Sequence, residues 1–133
     1  MIRSPKYLFL QLLRFGFCLH GQKISTLVKF EEELIMPNGD IYETKALINH
    51  WGDSLKAGHF VAYSKNELGQ WWFLNDSSAT LSSLEEANTQ DNYVLLLERK
   101  FYAQEAPSHV AESVALIEGE NKECPEPCVA KYY

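Results

Sequence analysis

The stretch that decides the fold runs from residue 50 to residue 76: His50-Trp51-Gly52-Asp53-Ser54, a short polar link, Gly58-His59-Phe60-Val61-Ala62-Tyr63, a turn, and Trp71-Trp72-Phe73-Leu74-Asn75-Asp76. Two apolar runs, residues 59–64 and 70–75, flank Lys65-Asn66-Glu67-Leu68-Gly69. A polar, Gly-containing link of that length between β-rich runs predicts an antiparallel hairpin with a short loop. With the turn centred on Glu67, His59 faces Asn75, Val61 faces Phe73 and Tyr63 faces Trp71. Directly opposed side chains lie about 5 Å apart at Cβ, within reach of an imidazole–carboxamide hydrogen bond.

Such a pair has a definite chemistry. A carboxamide oxygen that accepts from Nδ1–H fixes the imidazole tautomer and leaves Nε2 free to take a proton from a thiol. Cys, His and Asn together make the thiol-protease arrangement. The same two residues also suit a purely structural role, with His59 a hydrogen-bonded hairpin histidine and Asn75 a turn former at the strand end.

More of the chain follows a known pattern. His50, Gly52, Gly58-His59-Phe60, Tyr63, Trp71 and Asn75-Asp76 resemble the C-terminal signature of the ubiquitin-specific protease family of deubiquitinating enzymes. That signature has an upstream His, then Gly, then Gly-His-Tyr leading into a strand with a second Tyr. A Trp four residues before an Asn or Asp closes it. Leu12-Leu13-Arg14-Phe15 is similar to the family's Leu-Lys-Arg-Phe strand, and Tyr93-Val94-Leu95-Leu96 to its closing strand, so the likeness spans about residues 5–100. Phe60 stands for the family's Tyr, Leu74 for its Phe and Leu13 for its Lys. The family's nucleophile lies in an N-terminal box with Cys, Gly and Asn, and nothing in this chain resembles it.

The resemblance implies an α+β fold, an antiparallel sheet of about six strands forming the C-terminal, histidine-bearing part of a papain-like cysteine protease. It implies hydrolysis of the bond after ubiquitin's C-terminal glycine, with no cofactor. His59 is then the general base, Asn75 orients it, and Asp76 is an auxiliary polar residue. His50, Gly58 and Phe60 are substrate-binding, Gly58 leaving backbone room for a narrow peptide tail. The implied partners are ubiquitin or a ubiquitinated protein, and the missing N-terminal half of the domain. Lacking the nucleophile, the chain by itself is expected to hydrolyse nothing, as a fragment or as a protein that has lost catalysis. The alternative is a non-catalytic ubiquitin-binding or scaffold module that uses the acidic patch and a channel between His50 and His59.

Composition agrees with a folded domain. Of 133 residues, 46% are hydrophobic and 13% aromatic, which excludes a disordered chain over most of the length. The net charge is −6; residues 101–133 hold six Glu against two Lys, a balance of −4, leaving −2 for residues 1–100. An acidic, unclustered balance argues against nucleic acid or anionic membrane as partner. Cys18, Cys124 and Cys128, odd in number and unpatterned, point to a reducing, intracellular setting in cytoplasm or nucleus.

Residues 7–15 read as a strand buried on both faces, which needs covering either by the downstream hairpins or by chain from outside. Residues 24–30 alternate moderately. Pro37-Asn38-Gly39-Asp40 is the strongest turn signal in the chain, leading into a strand over residues 41–50. The three glutamates 31–33 read as a solvated patch, with docking of a basic partner as the rival use. A short strand follows over residues 77–81. Ser83 and Glu86 then match a capping box that starts a helix over residues 84–89, and residues 93–101 form the last strand. The domain so defined covers residues 5–102. Residues 103–133 form an acidic, Pro-containing tail, with a helix over residues 109–118 and a disordered end from Cys124.

Other chemistry is weaker. Cys18-Leu19-His20 brings thiol and imidazole together but offers nothing to lower the thiol pKa. Cys124 and Cys128 give two zinc ligands where four are usual. Trp71-Trp72-Phe73 lacks interleaved cations and reads as core packing.

Overall fold

The computed structural model describes residues 4–16, 23–54, 56–101 and 130–132. Eight strands form one antiparallel sheet: β1 (Tyr7–Leu12), β2 (Glu33–Ile35), β3 (Ile41–Ser54), β4 (Ala57–Lys65), β5 (Trp71–Asn75), β6 (Ser78–Ser82), β7 (Asn92–Phe101) and β8 (Ala130–Tyr132). Helix α1 (Leu84–Ala87) lies between β6 and β7. The strand order is β6-β5-β4-β3-β7-β1-β8, with β2 paired to the start of β3 on the edge opposite β7, the edge that β4 takes further along. The α+β class holds, with two strands more than expected. One of them is β8, three residues at the end of the tail, whose backbone pairs with β1. The expected tail helix and the cysteines at 18, 124 and 128 lie outside the described residues.

The core gathers Leu8 and Leu10 of β1, Tyr42 and Leu47 of β3, Val61 and Tyr63 of β4, Trp71, Ala87, and Leu95 and Leu97 of β7. Within β1, β4 and β7 these residues alternate, whereas Tyr42 and Leu47 lie five apart, so β3 buries side chains on both of its faces. β1 departs from expectation: Leu8 and Leu10 are buried, whereas Tyr7 and Phe9 on the other face are about half exposed. Among the described residues only one of its faces is covered.

Residues 24–30 form no strand. They run extended, and side chains take the place of a neighbouring ladder. Arg14 donates to the carbonyls of Ile24 and Thr26 at 2.8 and 2.9 Å, Asn92 Nδ2 to Val28 at 3.0 Å, and Asn88 Nδ2 to Phe30 at 2.8 Å. Asn88 Oδ1 also accepts from Phe30 N–H at 2.8 Å. The alternation in the sequence therefore reported extended backbone, not sheet membership. Helix α1 is one turn long. Ser83 caps it through Glu86 N–H as expected, but the Glu86 carboxylate turns to Ser82 Oγ, so the reciprocal half of the capping box gives way to a link back to β6.

The glutamate patch is also more structured than expected. Buried Glu43 on β3 meets Lys65 and Lys45, each at 2.9 Å, and Lys100 at 3.6 Å. Lys65 also reaches Glu32 at 2.7 Å, and Trp71 Nε1 donates to the same carboxylate at 3.1 Å. Burial alone would push the Glu43 pKa up. The hydrogen bonds from Lys65 and Lys45 outweigh it and hold the carboxyl at about 2, below its usual 4.5. A folded-state pKa below the unfolded one gives stability that is present above pH 4.5 and lost as pH falls toward 2. Glu43→Gln is therefore expected to lower stability at pH 7, by about 3 kcal/mol at most, and to flatten the acid limb between pH 4.5 and 2. Urea melts at stepped pH measure both effects.

Candidate active site

The hairpin β4–β5 is present, but its register is two residues from the expected one. Tyr63 faces Phe73 and Lys65 faces Trp71, so the turn occupies residues 66–70 and centres on Leu68. Asn66 sets this loop. Its Oδ1 accepts from the N–H groups of Leu68 and Gln70 at 3.0 and 2.9 Å, and Gly69 takes the positive φ of 79°. His59 is therefore not opposite Asn75. Continuing the ladder puts Asn75 beside Val61, one diagonal step from His59 and on the same face. A slip of two preserves the face, where a slip of one would have reversed it.

The expected contact forms across that diagonal: His59 Nε2 lies 2.7 Å from Asn75 Oδ1. The nitrogen differs from expectation. A carboxamide oxygen only accepts, so the bond needs Nε2–H, and Nδ1 is the nitrogen left to take a proton. The imidazole is half-buried, with Trp51 directly opposite on β3 and its ring centroid 5.9 Å away. Asp76 Oδ2 stands 4.0 Å from His59 Nε2 on a side chain 81% exposed. Asp76 also has φ 48° in the two-residue turn between β5 and β6, a conformation that Asp tolerates better than most residues.

His50 and Phe60 form a second group. They face each other across β3 and β4, one step from the Trp51–His59 pair, and so project from the opposite face of the sheet to His59. The expected channel between His50 and His59 is corrected accordingly: the two rings flank the strand end from its two sides. His50 is 3% exposed and ringed by Phe60, Phe15 and Tyr93 at centroid distances of 4.8, 5.5 and 6.2 Å. Its Nδ1 is buried without a hydrogen-bond partner among the described residues. Burial pushes the His50 pKa below the ordinary histidine value, and the nearby Lys23 cation adds to this. Phe60 is 56% exposed at the mouth of the group.

Two glycines shape this end of the sheet. Gly52 has φ 131°, and a Cβ there would meet Ala57 O at 2.7 Å. A Cβ on Gly58 would sit 2.2 Å from His50 Nε2. The room at Gly58, expected to receive a peptide tail, is thus filled by the His50 ring. Phe15 and Tyr93 were not singled out as site residues from the sequence, although both stand in the segments that carry the resemblance, Tyr93 in β7 and Phe15 beyond the end of β1.

An imidazole held at one nitrogen by a carboxamide, with no partner on the other among the described residues, has the arrangement that proton transfer needs. Comparison with known proteins gives the class. A sequence model described as ubiquitin carboxyl-terminal hydrolase matches residues 1–97. Ubiquitin carboxyl-terminal hydrolase 25 of Arabidopsis thaliana is 34% identical over 108 residues, and ubiquitin carboxyl-terminal hydrolase cyk-3 of Caenorhabditis elegans 38% over 108. Each alignment covers 74% of this chain, but only 16% and 9% of the respective relative. Among solved structures, the Ubp8-Sgf11-Sgf73-Sus1 SAGA DUB module is similar at 32% identity and a TM-score of 0.67, over 74% of this chain and 25% of that one. A SAGA DUB module bound to ubiquitin aldehyde gives a TM-score of 0.67 at 29% identity, with the same coverage. The chain belongs to the ubiquitin carboxyl-terminal hydrolase family, as its resemblance to the ubiquitin-specific proteases led us to expect.

Asn75→Ala is expected to release the imidazole, replacing the single Nε2–H tautomer of His59 by a mixture in side-chain ¹⁵N spectra, with little change in melting temperature. Gly58→Ala is expected to displace the His50 ring and to cost about 1–3 kcal/mol, measured by thermal denaturation.

Proposed function

We propose that this chain supplies the proton-handling part of a deubiquitinating thiol peptidase, which cleaves the bond after ubiquitin's C-terminal glycine. The observation that carries this reading is the His59–Asn75 contact inside a family-matched segment. In it Asn75 orients His59, and Nδ1 takes the proton from a cysteine thiol. The thiolate attacks the carbonyl carbon, and the imidazolium returns the proton to the leaving amine. Water then hydrolyses the thioester with His59 again as base. Asp76, exposed at 4.0 Å, tunes the polarity beside the ring. His50, Gly58 and Phe60, with Phe15 and Tyr93, form the wall along which the ubiquitin C-terminus lies. The partner is ubiquitin or a ubiquitinated protein, in cytoplasm or nucleus. No helix among the described residues is long and apolar enough to cross a membrane.

The described residues contain no cysteine. Cys18, Cys124 and Cys128 lie outside them; the second reading is a non-catalytic ubiquitin-binding or scaffold module on the same sheet. The 133-residue chain is expected to release no fluorophore from a fluorogenic ubiquitin substrate. Turnover abolished by Cys18→Ser would overturn this and make Cys18 the nucleophile. Titration of the labelled chain with ubiquitin separates the two readings. Weak binding that perturbs His50, His59 and Phe60 and needs the C-terminal glycine fits the peptidase part, whereas tight binding by the chain alone fits the module.

A further inference from the structure

Behind the ring cluster lies a cation that the proposed chemistry does not use. The Lys23 side chain is 2% exposed, and its ammonium donates to the Asp91 carboxylate and to the backbone carbonyl of His50. The place of that second bond is unusual. β3 and β7 pair with residue numbers summing to 141, as in Thr44 with Leu97, and the same register carried onward sets His50 opposite Asp91. His50 N–H donates to Asp91 O at 2.9 Å, as the ladder requires. The reciprocal bond is diverted, because Asp91 N–H donates to Thr89 Oγ1 at 3.1 Å. The Lys23 ammonium takes the position of the missing N–H. The Lys23 backbone also bridges to Phe15 and donates to Asp53 O at 3.0 Å. One residue thus holds backbone at or beside three of the four rings: Phe15, His50 and, through Asp91, Tyr93.

We propose that Lys23 is a positioning residue. Held by Asp91, it completes the β3 ladder at His50 and so fixes the imidazole, with its bare Nδ1, in the wall that receives the ubiquitin C-terminus. The inference rests on the peptidase reading for its ligand, but not for its geometry. A buried cation that only stabilised the fold would be replaceable, with its partner, by apolar side chains of similar size. A carbonyl that has lost its charged donor would not be repaired by that exchange.

The test uses the 133-residue chain and four variants: Lys23→Met, Lys23→Arg, Asp91→Asn, and the double variant Lys23→Met/Asp91→Leu. Lys23→Met and Asp91→Asn are expected to shift the His50 side-chain ¹⁵N signals. They should also reduce the shift changes that ubiquitin induces at the cluster, roughly tenfold for Lys23→Met. Lys23→Arg is expected to restore both. The double variant should recover the melting temperature without recovering either signal. A folded double variant with wild-type His50 signals would overturn the proposal. Absence of any ubiquitin response in the unaltered chain would count against the peptidase reading instead, and the His50 signals would still decide the role of Lys23.

Discussion

A strand of fourteen residues must find partners for its backbone along its whole length, and β3 is that strand here. At its start it lies between β2 and β7, and further on it runs beside β4. Neither neighbour set reaches both ends. Where β7 turns away at Asp91, the strand still has His50 to Ser54 to satisfy, and it does so with Lys23 Nζ and Lys23 N–H. The proposed site residues cluster at this handover. His50 sits where one neighbour stops, Phe60 and Gly58 meet it from β4 with His59 on the other face, and the Gly52 bulge lets the two strands part. Catalytic side chains tend to stand where a rigid scaffold runs out of regular pairing, since a completed ladder leaves no backbone or space to spare.

Two charged groups hold this sheet in different ways. The Glu43 cluster is partly open to water, and its lysines come from β3, β4 and β7, so it staples strands already paired by the ladder. The Lys23–Asp91 pair is more deeply placed on the lysine side and joins an irregular segment to the end of β7. The first group is redundant with hydrogen bonds nearby, whereas the second replaces one. This difference explains why a three-lysine cluster lies far from the proposed chemistry and a single lysine lies against it.

The sequence was most legible where local chemistry decides structure. Asn38-Gly39 closes a turn before β3, Ser83 caps α1, and the Tyr-Val-Leu-Leu run became β7. The His59–Asn75 contact was foreseen although its register was not, because the error was an even number of residues and the face survived. The cause was Asn66. Read as part of a link, it counts as one loop residue, but its side chain accepts two backbone N–H groups and pushes the turn toward Gly69. The choice of ring nitrogen depends on a diagonal approach that no linear reading supplies. Lys23 gave no signal at all, since its burial depends on Asp91, sixty-eight positions away.

The extended segment of residues 24–30 has one more consequence. A strand in a ladder rests on a rail of identical rungs, so a slide of two positions finds the same bonds again. This segment instead hangs on three fastenings of different shape, a guanidinium at Ile24 and Thr26 and single carboxamides at Val28 and Phe30. No shifted alignment reproduces that order of keys. The piece of chain least regular in form is therefore the one whose placement along the sheet is least ambiguous.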